Sequence, residues 1–171
     1  MHLVVWRRDH DLLDQIRLPA GTVVWHKDDV PELVDDDFRN QMYLKLIADR
    51  YAEADWFWLA DADYLVCAPL TSADFLSSDG RPCWFYRPWG PEVALAERTW
   101  RAGSEALLGA PIPYLFLSEP QYVMSRSILR DLRGRHDVTR LLRDEPMPAD
   151  QVVYGAYAFA EHHARYYWID A

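Results

Sequence analysis

The residues with the clearest capacity for chemistry are two aspartates one position apart, Asp61 and Asp63, which follow the apolar run Trp56-Phe57-Trp58-Leu59-Ala60. A short, unbroken apolar run between polar segments predicts a strand buried on both faces. The carboxylates then fall at its carboxyl end, where open α/β sheets receive their ligands. Two acids in such a place are costly unless their charge is compensated. A divalent cation is the natural compensator, because hard Mg2+ or Mn2+ takes oxygen ligands and shares one or two carboxylates with the phosphates of a substrate. The pattern therefore predicts a metal–diphosphate site. Aspartates also close strands into turns, so a purely structural Asp61/Asp63 pair is the competing account. Upstream, Gln41 and Lys45 stand four apart in the most helical stretch, at the border of its apolar face. Lys45 reads either as a surface lysine lying along apolar groups or as a cation held near the site, to meet phosphate or to fix the helix against it.

The totals narrow the classes. A chain of 171 residues, half of them hydrophobic, predicts one domain with one core. The formal charge is −9, and only Lys27 and Lys45 among the eighteen basic residues are lysine. An acidic chain without a basic block argues against nucleic-acid binding. No stretch approaches the length of a membrane-spanning helix. At the N-terminus charge follows the apolar residues instead of preceding them, which predicts no signal peptide and a cytoplasmic location. Two cysteines, Cys67 and Cys83, fit a reducing compartment and read as small buried hydrophobes rather than a disulfide. Eight tryptophans and ten tyrosines are mostly core, with some available to stack on sugar rings.

The elements that must position these residues follow in order. Leu3 to Trp6 predicts a strand, Arg8 to Ile16 a short helix with Asp9 as N-cap, and Thr22 to His26 a second strand. Lys27 to Asp37, with five aspartates, a glutamate and a proline, predicts a solvated loop; a second cation site is the sharper, less favoured reading. Phe38 to Ala52 predicts a helix capped by Asp36 or Asp37, with Phe38, Met42 and Leu46 in one column and Leu44, Ile47 and Tyr51 in another. Beyond the acidic pair, Thr71 or Ser72 caps a short helix through Phe75, Ser77 to Pro82 is a turn, and Cys83 to Tyr86 a strand ahead of an irregular stretch from Arg87 to Pro91. Glu97 to Leu108 predicts a helix ending at Gly109. Tyr114 to Ser118 and Tyr122 to Ser125 are extended, Arg126 to Arg133 is helical up to Gly134, and Val138 to Arg143 adds a turn. Asp150 to His162 is a final helix and Tyr166 to Ile169 a closing strand. Strands and helices alternate through the first half, which predicts an α/β layered fold.

Gln41…Lys45-Leu46, the strand Trp56 to Ala60, Asp61-Ala62-Asp63 and Pro69-Leu70 together resemble the core of GT-A glycosyltransferases, whose mark is a strand-terminal Asp-x-Asp motif. Asp150-Gln151-Val152-Val153-Tyr154-Gly155-Ala156-Tyr157, with Trp100 and Leu107-Leu108-Gly109, resembles a poorly characterised bacterial branch of GT-A-like proteins. The resemblance covers roughly residues 20–165. It implies a Rossmann-like, mostly parallel sheet flanked by helices in a single domain over 1–171, with a donor and metal half (1–66) and an acceptor half (67–171). It also implies that the strand–helix unit with which GT-A chains usually begin is cut short here. Asp61 and Asp63 would hold Mn2+ or Mg2+ against the diphosphate of a nucleotide-sugar donor such as a UDP-sugar, with Asp61 also meeting the ribose and Gln41 and Lys45 at the donor. Asp150 matches the acid that would accept the proton of an acceptor hydroxyl or bind acceptor; its plain alternative is a helix N-cap. His162 or His163 could add a metal ligand, although a histidine pair at a helix end also fits a favourable dipole contact, the reading preferred.

Two other readings compete. A non-catalytic nucleotide-sugar or carbohydrate-binding module would suit so short a chain. A haloacid-dehalogenase-type phosphohydrolase also places Asp-x-Asp after a buried strand, with the first acid as nucleophile. That pattern expects Thr or Val where Leu65 stands, and a later lysine where none follows Lys45.

Overall fold

The computed structural model describes residues 1–61, 67–90, 95–116 and 122–171, a mixed α/β chain with seven short strands and five α-helices among them. Strand β1 (His2–Val5) pairs in parallel with β2 (Val23–His26), His2 opposite Val23 and Val5 opposite His26. Between them lies α1 (His10–Leu13), one turn long, where a helix to Ile16 was expected; Asp9 holds its N-cap position without a side-chain hydrogen bond. Helix α2 (Asp37–Leu46) is capped by Asp36, whose carboxylate accepts from the backbone N–H of Phe38 and Arg39, and a 3₁₀ turn, Ala48–Arg50, extends it. Its apolar face buries Met42, Leu44, Leu46 and Ile47, while Phe38, expected in the same column, is 48 % exposed.

Strand β3 (Trp56–Leu59) leads to the acidic pair. Then come β4 (Cys83–Pro88), α3 (Leu95–Leu108), β5 (Tyr114–Leu115), β6 (Tyr122–Ser125), α4 (Arg126–Arg135), α5 (Asp150–Glu161) and β7 (Tyr167–Asp170). Strand β4 continues through Pro88, which pairs with Tyr114, and α4 runs past Gly134. Gly109 takes φ 68, the left-handed conformation that ends α3.

The pairing corrects the expected mostly parallel sheet. The strands form three small sheets, β1–β2, β3–β6 and β5–β4–β7. Two of the pairings are parallel (β1 with β2, β4 with β7) and two antiparallel (β3 with β6, β4 with β5). An apolar run reads the same in either direction, so the polarity of β3 against β6 is settled by chain far from it. All four residues of β3 are half-buried rather than covered on both faces, as suits an antiparallel strand. Cys67 is exposed and Cys83 half-buried, not the two buried hydrophobes expected.

Helix α5 is the centre of the core. Every residue from Asp150 to Ala158 is buried, and a helix apolar on all sides belongs inside. Its Gly155 faces Phe116 so closely that a Cβ there would lie 2.4 Å from the Phe116 Cβ. One turn after Asp150, the Tyr154 hydroxyl accepts from the backbone N–H of Ser125 (2.8 Å) and lies 2.7 Å from the Tyr166 hydroxyl, which donates to Val123 O (2.8 Å). That chain of hydroxyls ties α5 to β6, and β6 to β3. Burial pushes both phenols above their ordinary range. A second tie is ionic: buried Asp49 receives Arg133 from α4 through two hydrogen bonds, 2.6 and 2.8 Å. Residues from both halves of the chain thus share one core. No helix among the described residues is long and apolar enough to cross a membrane.

Candidate functional site

Helix α2 brings Gln41 and Lys45 to the rim of its buried face, one turn apart and both half-buried. Strand β3 ends at Leu59, and two residues later Asp61 turns its carboxylate toward that helix. Gln41 Nε2 donates to Asp61 Oδ1 at 2.8 Å. Lys45 Nζ sits 2.8 Å from the same oxygen. The Lys45 side chain is only 12 % exposed, which excludes the reading as a surface lysine. Its Nζ also lies 3.9 Å from Oδ2 of Asp150, in the first turn of α5. Four residues singled out from the sequence, Gln41, Lys45, Asp61 and Asp150, therefore meet in one place, drawn from a helix, a strand end and a second helix.

Asp150 is the unusual member. It is wholly buried, and neither carboxylate oxygen makes a hydrogen bond among the described residues. Burial pushes its carboxyl up to about 6; the Lys45 ammonium pulls it down and the Asp61 carboxylate pushes it up. The N-cap alternative is corrected by one position: Ala149 holds the cap, and Asp150 is the first residue of α5, where the backbone N–H groups of Asp150 and Gln151 favour its charged form. A carboxylate placed in the interior without hydrogen bonds is expensive, and native structures keep such groups for a purpose. Sequence reading gave no role to its neighbour Gln151, which is 7 % exposed and whose Oε1 is also without a partner. The signal available was its position beside Asp150 in the Tyr-Gly segment.

The fit to a divalent cation is partial. Among the described residues both contacts of Asp61 fall on Oδ1, so Oδ2 is the oxygen that would meet a hard cation. Asp63, the expected second ligand, lies outside the described residues. Among the described residues no three His, Cys, Asp or Glu side chains converge as a metal-holding group. The suggestion that His162 or His163 supplies a ligand is corrected. Both sit past the far end of α5, whose twelve residues span roughly 18 Å. There His162 Nε2 lies 2.9 Å from Asp131 Oδ2, and His163 packs edge-on against Phe159 with ring centroids 4.8 Å apart.

The cluster can hold negative charge beside Lys45 and offer a buried carboxylate, poised near neutrality, as a proton acceptor. Comparisons with protein-family models, curated proteins and solved structures find no match for this chain.

Proposed function

We propose that this protein is a metal-dependent glycosyltransferase of GT-A type, moving a sugar from a nucleotide-sugar donor, with a UDP-sugar as the first candidate, to an acceptor hydroxyl. The observation that carries the reading is the convergence of Gln41, Lys45 and Asp61 with buried Asp150, whose oxygens accept no hydrogen bond among the described residues. The parallel β1–β2 pair, followed by α2 and a strand ending in acids, supports a Rossmann-like donor half.

In this reading Asp61, with Asp63, would hold Mn2+ or Mg2+, and the ion would supply Lewis-acid stabilisation of the leaving nucleoside diphosphate. Lys45 places a second positive charge beside the same phosphates and keeps Asp61 aimed by gripping Oδ1. Gln41 fixes that carboxylate from the other side and directs its remaining oxygen outward. Asp150 accepts the proton of the acceptor hydroxyl as it attacks the sugar; a carboxyl raised to about 6 is ionised at neutral pH and more basic than an exposed aspartate.

The test is thermal stability with Mn2+ and a panel of nucleotide sugars, followed by donor-hydrolysis and transfer assays. A ligand in hundredfold excess over its dissociation constant stabilises by about 2.7 kcal/mol. We expect such a gain with one donor, its loss in Asp61→Asn, and loss of transfer with donor binding kept in Asp150→Asn. No stabilisation by any nucleotide sugar with metal present would refute the proposal. Binding without turnover by the wild type would instead support a non-catalytic module.

A further inference from the structure

We propose that His10 and His26 form a two-histidine chelate for a borderline divalent transition metal, of the Ni2+, Cu2+ or Zn2+ class, which staples α1 to the end of β2. The site is independent of the donor site proposed above and shares no residue with it.

His10 opens α1 and His26 ends β2. The loop between them is folded back so that His10 Nδ1 lies 3.0 Å from His26 Nε2, with ring centroids 5.2 Å apart. Two imidazole nitrogens this close share one hydrogen, or they share a metal. Metal–nitrogen bonds of about 2.0–2.1 Å set nitrogens about 2.9 Å apart at a right angle and about 3.4 Å apart at a tetrahedral angle. The observed 3.0 Å is nearer the right-angled arrangement of tetragonal Ni2+ or Cu2+. Chelation requires both rings to turn out of the hydrogen-bonded arrangement until their lone pairs meet at one point, and the exposed His10 ring has the room to do so. Imidazole suits these borderline metals, whereas Mg2+ and Ca2+ prefer oxygen.

The surrounding charge is mixed, with Arg8 3.9 Å from Asp9 among the pairs there. Asp9 precedes His10, and Asp28 and Asp29 follow His26 within two turns of chain. Asp28 Oδ2 accepts the Arg7 backbone N–H at 2.7 Å. Arg7 is committed to Asp29 at 2.7 Å, and Lys27 lies over the Trp6 ring. Since no third ligating side chain converges there among the described residues, water completes the coordination.

A staple also answers a need. No residue from 1 to 39 is buried, so α1 and the β1–β2 pair lack a core of their own. Metal that binds only the folded arrangement adds its binding energy to the stability of that unit.

The experiment uses the full chain without a histidine tag, titrated with NiCl2, CuCl2 and ZnCl2 by calorimetry and thermal shift, with hydrogen exchange followed over residues 7–26. We expect one equivalent bound, slower exchange in that segment, and at least tenfold weaker binding in His10→Ala and in His26→Gln. His2→Ala should bind as the wild type does, and loss of binding in Asp61→Asn would place the metal at the donor site instead. Both histidine variants alter partly exposed rings, and circular dichroism checks that they fold. Equal binding by wild type, His10→Ala and His26→Gln overturns the proposal. So does absence of binding by all three metals, or loss of binding in Asp61→Asn.

Discussion

The first 39 residues and the remainder of the chain use the same vocabulary of strands, turns and acid–base pairs, with different physical results. From Met1 to Arg39 nothing is buried; from Asn40 onward lies the whole core. Six of the eight exposed large hydrophobics among the described residues, Met1, Leu12, Ile16, Val23, Val34 and Phe38, belong to the first part. Its sheet has two parallel strands, an arrangement that normally needs both faces covered. Val4 rests against the core from outside, as Val30 and Leu33 do, and edge contacts add to it: Trp6 Nε1 donates to Asp37 at 2.8 Å, and Trp25 meets Tyr51 with centroids 5.4 Å apart. Ion pairs show the difference best. Arg7–Asp29 has side chains 57 % and 66 % exposed, whereas Arg133–Asp49 has 19 % and 3 %. All four described members of the candidate site stand on the packed side, while the first part contributes Asp36, the cap of the helix that carries Gln41 and Lys45.

Four substitutions test that contrast. Asp49→Ala, which leaves the Arg133 guanidinium with only the Leu46 carbonyl of these two acceptors, should cost about 3 kcal/mol by chemical denaturation. A loss below about 1 kcal/mol would erase the distinction drawn from burial. Gly155→Ala should cost about 1–3 kcal/mol, because the new methyl meets the Phe116 Cβ rather than a flexible tip. Asp150→Asn should act in the opposite direction, raising stability at pH 7.5 by about 1–2 kcal/mol while abolishing transfer. The sign follows from a folded-state carboxyl raised to about 6. The folded protein holds that proton more tightly than the unfolded chain does, so wild-type stability falls as pH rises from the unfolded value through about 6. Below the unfolded value Asp and Asn should be equivalent, and melting curves from pH 3.5 to 8 check it. Arg7→Ala should change stability by less than about 0.5 kcal/mol. Native-state hydrogen exchange sharpens the same point: amides of β1 and β2 should exchange by local opening, those of α5 only on global unfolding.

Much of this was legible in the residues. Asp36 before Phe38 announced its cap, Gly109 its helix end, and the four-residue spacing of Gln41 and Lys45 their shared rim. Short apolar runs located the strands to within a residue or two, except that β5 is only Tyr114–Leu115 and residues 117–118 of the stretch expected there lie outside the described residues. What the sequence could not carry was direction and depth. Nothing in Trp56 to Leu59 says that its partner runs antiparallel from Tyr122, and nothing in Phe38 says that its face of α2 stays open. Lys45 and Asp150 each had an ordinary surface or capping role available. Only the packing of α5 against α2 put them beside one another. Gln151 and the Asp49–Arg133 pair went unread because long-range partners leave no local pattern.

The hydroxyl chain through Tyr154 and Tyr166 acts as a ruler along the axis of α5. It pins the helix to Ser125 and Val123, whose strand aligns with the one that delivers Asp61. The height of Asp150 above Lys45 is thereby set one turn away, by groups that never touch the site. Replacing Tyr154 with phenylalanine would leave the Ser125 N–H without its acceptor and free the helix to slide. A displacement of one residue is 1.5 Å, enough to separate an ammonium from a carboxylate it now just reaches.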